Sequence, residues 1–451
     1  MLLGVDDKKK KRKSSSIDYS MWPEHPSSRP SMSMSMASGG GGAVSALSRN
    51  RAVVLLAVVV VFMVFSLSTT SLLHVPPSGS FGRGRSSAAD SAVSSPNGNG
   101  GQLVAFVDPV ATPRHRLRHS PADAAPRQPA RPMSFGIVAV ADLDKKSKLA
   151  DSKKPAFHSF LQHGTVKITR RGSSSDREDY SVEWGDVQKF TTSMNEAGRG
   201  FELSELAWFD GKLLTFDDRT GIVFRLKHFE GGRPVVAIPE HIVMEGDGLT
   251  GKGQKHEWAT VKDGELYMGS VGKEFTDNDG NVLSDSNLWV AVMDKQGDVR
   301  HEDWAANFAR IRKALGCEYP GYVIHEAIEW SAVHRKWFVL PRRVSKLPYN
   351  DEADEQRGSN KLVVASEDFS SFEVLDVGHV TPLRGFSSFK FVPRTDDSVI
   401  IALKSVEVEA EGMQTSFLTV FDIRGNVLME ETELPGGYKF EGLAFEHDWS
   451  A

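Results

Sequence analysis

Five residues open short β-type segments in a common register: Ser204 in SELAW, Glu257 in EWATV, Glu326 in EAIEW, Ser387 in SSFKF and Glu441 in EGLAF. Three carboxylates and two hydroxyls that converge on one point form a hard, electronegative, oxygen-only site. Calcium takes about 6–8 oxygens in a flexible cage, whereas magnesium prefers a tighter octahedron that keeps more water. The five heads include no Cys and no His, which disfavours zinc and copper. Arg219, Lys273, Arg342, Arg343 and Lys404 lie at the ends of the segments that follow, and such cations suit anionic phosphates. Asp142, Asp144, Asp217 and Asp218 fall at equivalent places and offer carboxylates that hold or deprotonate a water. A single glutamate at a strand start is ordinarily a solvated rim residue; five in register need another reason.

The elements that must position these residues recur as well. Within each segment the third residue is apolar (Leu206, Ala259, Ile328, Phe389, Leu443), and so is the fifth (Trp208, Val261, Trp330, Phe391, Phe445). The heads lie 53, 69, 61 and 54 residues apart. Each interval fits one propeller blade of about 40–50 residues plus insertions. A tight turn follows each of the first four segments (Asp210-Gly211, Asp263-Gly264, His334-Arg335, Asp396-Asp397), and a returning strand follows the turn (KLLTF, ELYMG, KWFVL, SVIIAL). The fifth segment has no returning strand before Ala451, but FGIVAVADLD at 135–144 has the required apolar pattern. Closing the ring with that N-terminal strand removes an open sheet edge. The fold class expected is therefore all-β: a five-bladed β-propeller over 133–447, with WAANFARIRKALG (304–316) as a helical insertion between blades.

Composition divides the 451 residues unevenly. Residues 1–51 carry the basic run Lys8 to Lys13 and read as a cytosolic tail. Residues 52–73 hold no charge and are long enough to cross a bilayer as a signal-anchor helix. Arg49 and Arg51 at its edge place the N-terminus inside and the remainder in a lumen, as a type II protein. Residues 74–132, rich in Ser, Gly, Pro and Arg, read as a disordered stem. The net charge of −5 argues against general nucleic-acid binding. The single cysteine, Cys317, excludes an intramolecular disulfide and any Cys-based zinc cluster. There is no GxxxxGK[ST], so a P-loop mechanism is excluded.

The stretches IVAVADLD, RGFELSELAWFDGKLLTFDDRTGIVF, KHEWATVKDGELYMGSVGKEFT, PGYVIHEAIEW, RKWFVLPRR, GFSSFKFVPRTDDSVIIALKS and KFEGLAF resemble the soluble calcium-activated nucleotidase (apyrase) family, over about 133–446. The resemblance implies a five-bladed propeller with one Ca2+ on its axis that hydrolyses nucleoside di- and triphosphates, UDP and GDP preferred. It implies Ser204, Glu205, Glu257, Glu326, Ser387 and Glu441 as calcium ligands. Glu205 stands where vertebrate members carry Asp. It also implies nucleotide handling by Asp142, Asp144, Asp218 and Arg342, helped by Lys255 and Arg219; Lys273 and Arg343, from their places at the segment ends, are expected as further cations for substrate.

The mechanism expected is metal-assisted hydrolysis, in which one of Asp142, Asp144 or Asp218 orients or deprotonates the attacking water. In a Golgi or ER lumen, such an enzyme would clear the UDP that glycosyltransferases release and so support glycosylation or proteoglycan synthesis. A cleaved, secreted form and a homodimer are further expectations. The residues leave two other classes open. One is a non-catalytic, calcium-stabilised propeller serving as a lumenal interaction platform; the other is a propeller hydrolase for lactones or phosphoesters.

Overall fold

The computed structural model describes residues 133–150, 152–170, 178–277 and 281–449. The tail, anchor and stem expected over 1–132 lie outside the described residues. Among the described residues no helix is long and apolar enough to cross a membrane.

Strands β1 (Met133–Ala141), β2 (Phe157–Arg170) and β3 (Glu178–Thr192) come first. Then follow β4 (Leu203–Phe209), β5 (Lys212–Asp217), β6 (Ile222–Lys227) and β7 (Val236–Ile242), which form one four-stranded antiparallel sheet. The next sheet comprises β8 (Trp258–Lys262), β9 (Glu265–Gly269), β12 (Trp289–Met293) and β13 (Val299–Asp303); the short pair β10 (Phe275–Thr276) and β11 (Val282–Ser284) is inserted between β9 and β12. After helix α1 (Ala305–Ala314) come β14 (Tyr322–Ser331), β15 (Lys336–Ser345), the single helical turn α2 (Asp351–Asp354), β16 (Lys361–Ser366) and β17 (Phe372–Asp376). A fourth sheet holds β18 (Gly385–Phe391), β19 (Val399–Val408), β20 (Met413–Asp422) and β21 (Val427–Glu433). The last strand, β22 (Phe440–Phe445), pairs with β1, giving the order β22-β1-β2-β3. The ring is thus closed by the N-terminal strand, as the missing return after Phe445 required.

The innermost strands touch in the cyclic order β22, β4, β8, β14, β18 and back to β22. Five apolar clusters fill the five seams between neighbouring blades. One seam, for example, packs Trp258 and Val290 of the second blade against Trp330, Trp337 and Val363 of the third. Each sheet is therefore apolar on both faces and stable only between two others, so the blades hold as a closed set. The Asp210-Gly211 and Asp263-Gly264 turns have both residues at positive φ, the two-residue geometry that matches the strand twist. The 304–316 segment forms α1, with Phe308 and Ile311 buried in the same seam as Trp304.

Every head sits at a β-bulge. Ser204 is skipped between the Leu203–Asp217 and Glu205–Phe216 pairs, and Ser387 between Phe386–Lys404 and Ser388–Leu403. Glu326 falls in the shift between His325 and Ile328, and Glu441 in the shift between the partners of Val140 and Ala141. Glu257 donates its N–H to the carbonyl of Gly269, which already faces Trp258, so two residues there oppose one. A bulge bends the strand and re-aims one side chain while the rest of the strand keeps its register.

Close approach of blades around the axis also explains Gly442. A Cβ there would lie 2.6–2.8 Å from backbone atoms of Glu205 and Leu206 on the neighbouring inner strand. Gly442→Ala is expected to cost about 1–3 kcal/mol, the range for forcing atoms into a packed interior. Gly251→Ala, where the new Cβ meets nothing within 4 Å, should stay within about 0.5 kcal/mol. Urea unfolding of the two variants beside the unaltered protein measures both; equal midpoints would refute the tight inner ring.

Candidate active site

The bulges turn Glu257, Glu326 and Glu441 into one cavity of about 520 Å³. Carboxylate oxygens of Glu257, Glu326 and Glu441 lie within 4.8 Å of one another there, and all three residues are buried. The two serines tie this trio to the strands around it. Ser204 Oγ donates to the carbonyl of His256 (2.5 Å), the residue before Glu257, and Ser387 Oγ donates to the carbonyl of Phe440 (3.3 Å), the residue before Glu441. Each hydroxyl thus joins its own blade to the backbone of a blade that carries a glutamate, and its lone pairs stay available to a cation.

Three cations are interleaved with the carboxylates. Arg342, itself the extra residue of a bulge between the Ile324–Arg343 and His325–Pro341 pairs, reaches Glu326 (2.6 Å), Glu441 (3.2 Å) and Ser405 Oγ (2.6 Å) through one nitrogen, Nη1. Lys255 bridges Asp218 and Glu257. Lys439 contacts Asp142 (2.8 Å), Asp144 (2.8 Å), Glu407 (3.2 Å) and Glu441 (3.7 Å). Against these three stand seven carboxylates: Asp142, Asp144, Asp218, Glu257, Glu326, Glu407 and Glu441.

The excess of negative charge shows in the protonation equilibria. Burial pushes Glu257 well above the ordinary carboxylate range against the pull of Lys255, and Glu326 adds to the rise. Glu441 is pushed up to about 7 by burial, against Lys439 and with Glu326 adding. Asp142 is raised well above its usual value by burial despite Lys439. Burial would raise Asp144 too, but Lys439 outweighs it and holds that carboxyl down at about 2. For Lys255 and Lys439, burial opposes the charge and the surrounding carboxylates overcome it, so both stay protonated. A group of carboxylates that cannot all ionise beside their own partners fits a divalent cation held by hard oxygens. The carboxylates grouped closely enough to hold one are those of Glu257, Glu326 and Glu441.

Asp217 and Asp218, adjacent in sequence, take different parts. Asp217 accepts the N–H groups of Phe201 (2.7 Å) and Arg219 (3.0 Å) and shapes the turn. Asp218 faces the cavity, and its Oδ1 is buried with no hydrogen-bond partner. A buried acceptor left open in this way is a ready position for a water or a substrate hydrogen-bond donor.

Asp142, Asp144, Asp218, Lys255, Arg342 and Arg343 therefore line one cavity with the trio. Four other expected residues are placed elsewhere. Glu205 does not join the trio: its carboxylate is taken by Leu206 N–H (2.7 Å), Ser388 Oγ (2.8 Å) and Lys390 Nζ (3.4 Å). Its extra methylene relative to Asp reaches those partners across the channel. Arg219 turns to Glu196 (3.1 Å), and Lys404 is buried against Glu431 (2.7 Å). Lys273 donates to the Glu274 carbonyl (2.8 Å) and lies 4.1 Å from the centre of the Tyr349 ring, behind the cavity wall.

Lys439, Arg199, Glu202 and Glu407 are the residues that sequence reasoning missed. Glu202 puts a carboxylate oxygen within 4.8 Å of those of Asp142 and Asp144, and Arg199 Nε holds it at 2.9 Å. A signal for part of this set was present. Lys255 and Lys439 each stand two residues before a head glutamate, and Glu202 two residues before Ser204. Each lies just ahead of an inner strand, on the stretch of chain that leads into the head.

The chain matches known proteins over this same region. The family model described as Apyrase matches residues 143–446. Apyrase apy-1 of Caenorhabditis elegans is 42% identical over 314 residues, 69% of this chain and 84% of that protein. Soluble calcium-activated nucleotidase 1 of Rattus norvegicus is 41% identical over 312 residues, 69% of this chain and 73% of that one. An apyrase of Cimex lectularius is 38% identical over 314 residues, 69% of this chain and 82% of that one. A propeller of five blades, a buried carboxylate cluster threaded with Lys255, Arg342 and Lys439, and these matches agree: the chain belongs to the apyrase family of nucleotide-hydrolysing enzymes.

Proposed function

We propose that this chain is a calcium-dependent nucleoside diphosphatase that converts UDP and GDP to the monophosphate and phosphate. The observation that carries the reading is the interleaving, in one cavity, of three buried head glutamates with Lys255, Arg342 and Lys439. That arrangement suits a metal–phosphate pair, because the carboxylates take the metal and the cations take phosphate oxygens. The printed name of the rat relative, a calcium-activated nucleotidase, supports calcium as the ion.

Ser204, Glu257, Glu326, Ser387 and Glu441 would hold the calcium, which would supply charge neutralisation to a bound phosphate. Arg342, with Arg343 beside it, draws the terminal phosphoryl group to the mouth and stabilises the charge that develops there, the main task in phosphoryl transfer. Lys255 pairs with Asp218, and the open Oδ1 of Asp218 orients the attacking water and accepts its proton. Lys439 fixes Asp142 and Asp144 on the opposite side of the cavity. Arg219 and Lys273 act at most from outside, by steadying the Asp218 turn and the Tyr349 loop.

The apolar run at 52–73 further suggests a type II anchor that holds this domain in the Golgi or ER lumen, where removal of UDP would relieve glycosyltransferases of product inhibition.

Three outcomes follow. Purified protein should release phosphate from UDP with calcium, weakly or not at all with magnesium, and not with EGTA; full activity in EGTA removes calcium from the reaction, and an inactive but calcium-stabilised protein favours an interaction platform. Asp218→Asn should lower kcat for UDP by about 10²–10⁴ with little change in KM, the range for a lost general base; an unchanged kcat moves that role to Asp142 or Asp144. In microsomes from expressing cells, the C-terminal domain should resist added protease until detergent is present. Digestion without detergent would exclude the lumenal placement.

A further inference from the structure

Beneath the head residues, the channel holds a second polar layer to which all five inner strands contribute. Glu205 of β4 receives Ser388 Oγ of β18 at 2.8 Å on Oε1 and approaches Lys390 Nζ of β18 at 3.4 Å through Oε2. Lys390 also binds Glu329 of β14, whose other oxygen accepts Thr260 Oγ1 of β8. Thr260 in turn accepts the N–H of Trp330 (3.0 Å), and Ser388 accepts the N–H of Leu443 of β22 (3.2 Å). No apolar side chain takes part in these contacts. Three charged residues in the interior of a small channel are costly, and a hydrophobic plug would stabilise the fold at least as well.

The placement of these residues points to what the charges accomplish. Glu205 is the chain neighbour of Ser204, and Ser388 is the chain neighbour of Ser387. Strands β4 and β18 are not neighbours in the ring; β22 lies between them. The Glu205–Ser388 hydrogen bond and the Lys390–Glu205 contact therefore span a blade and tie together the two strands that carry the serine heads. Lys390 adds the third blade by gripping Glu329, three residues after the head Glu326. The bulges leave the head residues outside the regular ladder, so backbone pairing alone does not set their separation.

We propose that Glu205, Ser388, Lys390 and Glu329 are positioning residues that fix the radius of the head ring and thereby set its affinity for calcium. This inference rests on the calcium reading of the heads above. Outer partners of this kind orient ligands without touching the ion, and their loss typically weakens metal binding by about 10–100-fold.

The sign of the effect separates positioning from simple electrostatics. Lys390→Met removes a positive charge near the ring, which by charge alone should tighten binding of a cation. Positioning requires the reverse. The experiment is calorimetric titration of EGTA-stripped full chain with calcium, alongside Lys390→Met and Ser388→Ala. The expected result is a Kd about 10-fold or more weaker for Lys390→Met and about 5-fold weaker for Ser388→Ala, which deletes one hydrogen bond without changing charge. kcat for UDP at saturating calcium should be retained in Ser388→Ala. Tighter or equal calcium binding by folded Lys390→Met overturns the proposal. If Lys390→Met does not fold, Ser388→Ala decides alone, and an unchanged Kd there overturns it. Absence of calcium binding by the unaltered protein would instead overturn the calcium reading itself, and this inference with it.

Discussion

Repulsion among buried carboxylates at the axis is the constraint around which the rest of this molecule is arranged. Glu257, Glu326 and Glu441 are drawn within 4.8 Å of one another away from bulk water. An isolated trio of this kind would protonate or spring apart. It holds because Arg342, Lys255 and Lys439 are threaded between the carboxylates, each held on more than one side. The compensation is incomplete, as the raised protonation of Glu257 and Glu441 shows. What remains is a site that gains from a divalent ion and from an anion bound to that ion.

The scaffold meets this constraint through closure. Five apolar seams make every blade depend on two others, and the pairing of β1 with β22 ties the ends of the domain together. Such a ring does not relax locally when charges at its centre repel. Bulges then provide the local freedom that the ladders deny, since each lets one head residue turn to the mouth while its strand stays packed. Below the mouth, the Glu205–Lys390–Glu329 contacts connect blades across the axis.

Much of this was legible in the chain. Apolar third and fifth positions behind a polar head, the Asp-Gly turns and the missing fifth return strand determined five blades and their closure by residues 135–144. These signals are local, because strand alternation and turn chemistry act over a few residues. The trio of glutamates followed from the same register, as did the presence of Asp142, Asp144, Asp218 and Arg342 near it. Lys439 and Glu202 repeat the head spacing at two residues upstream and could have been found by extending that register one step.

Other features belonged to the tertiary structure alone. Asp217 and Asp218 are the same residue type side by side, and only the turn decides that one caps backbone N–H groups while the other keeps an open oxygen in the cavity. Arg342, Arg219, Lys273 and Lys404 read alike as cations ending second strands; the bulge at Arg342 sends it to the trio, and nearer acidic, carbonyl or aromatic partners draw the other three away. The family resemblance implied Glu205 as a sixth ligand, whereas its carboxylate meets Ser388 and Lys390 of a blade nearly two hundred residues away. Neighbours along the chain dictate the elements and the charges that they carry. Which charge meets which was decided by ring closure, because the partners come from five separate blades.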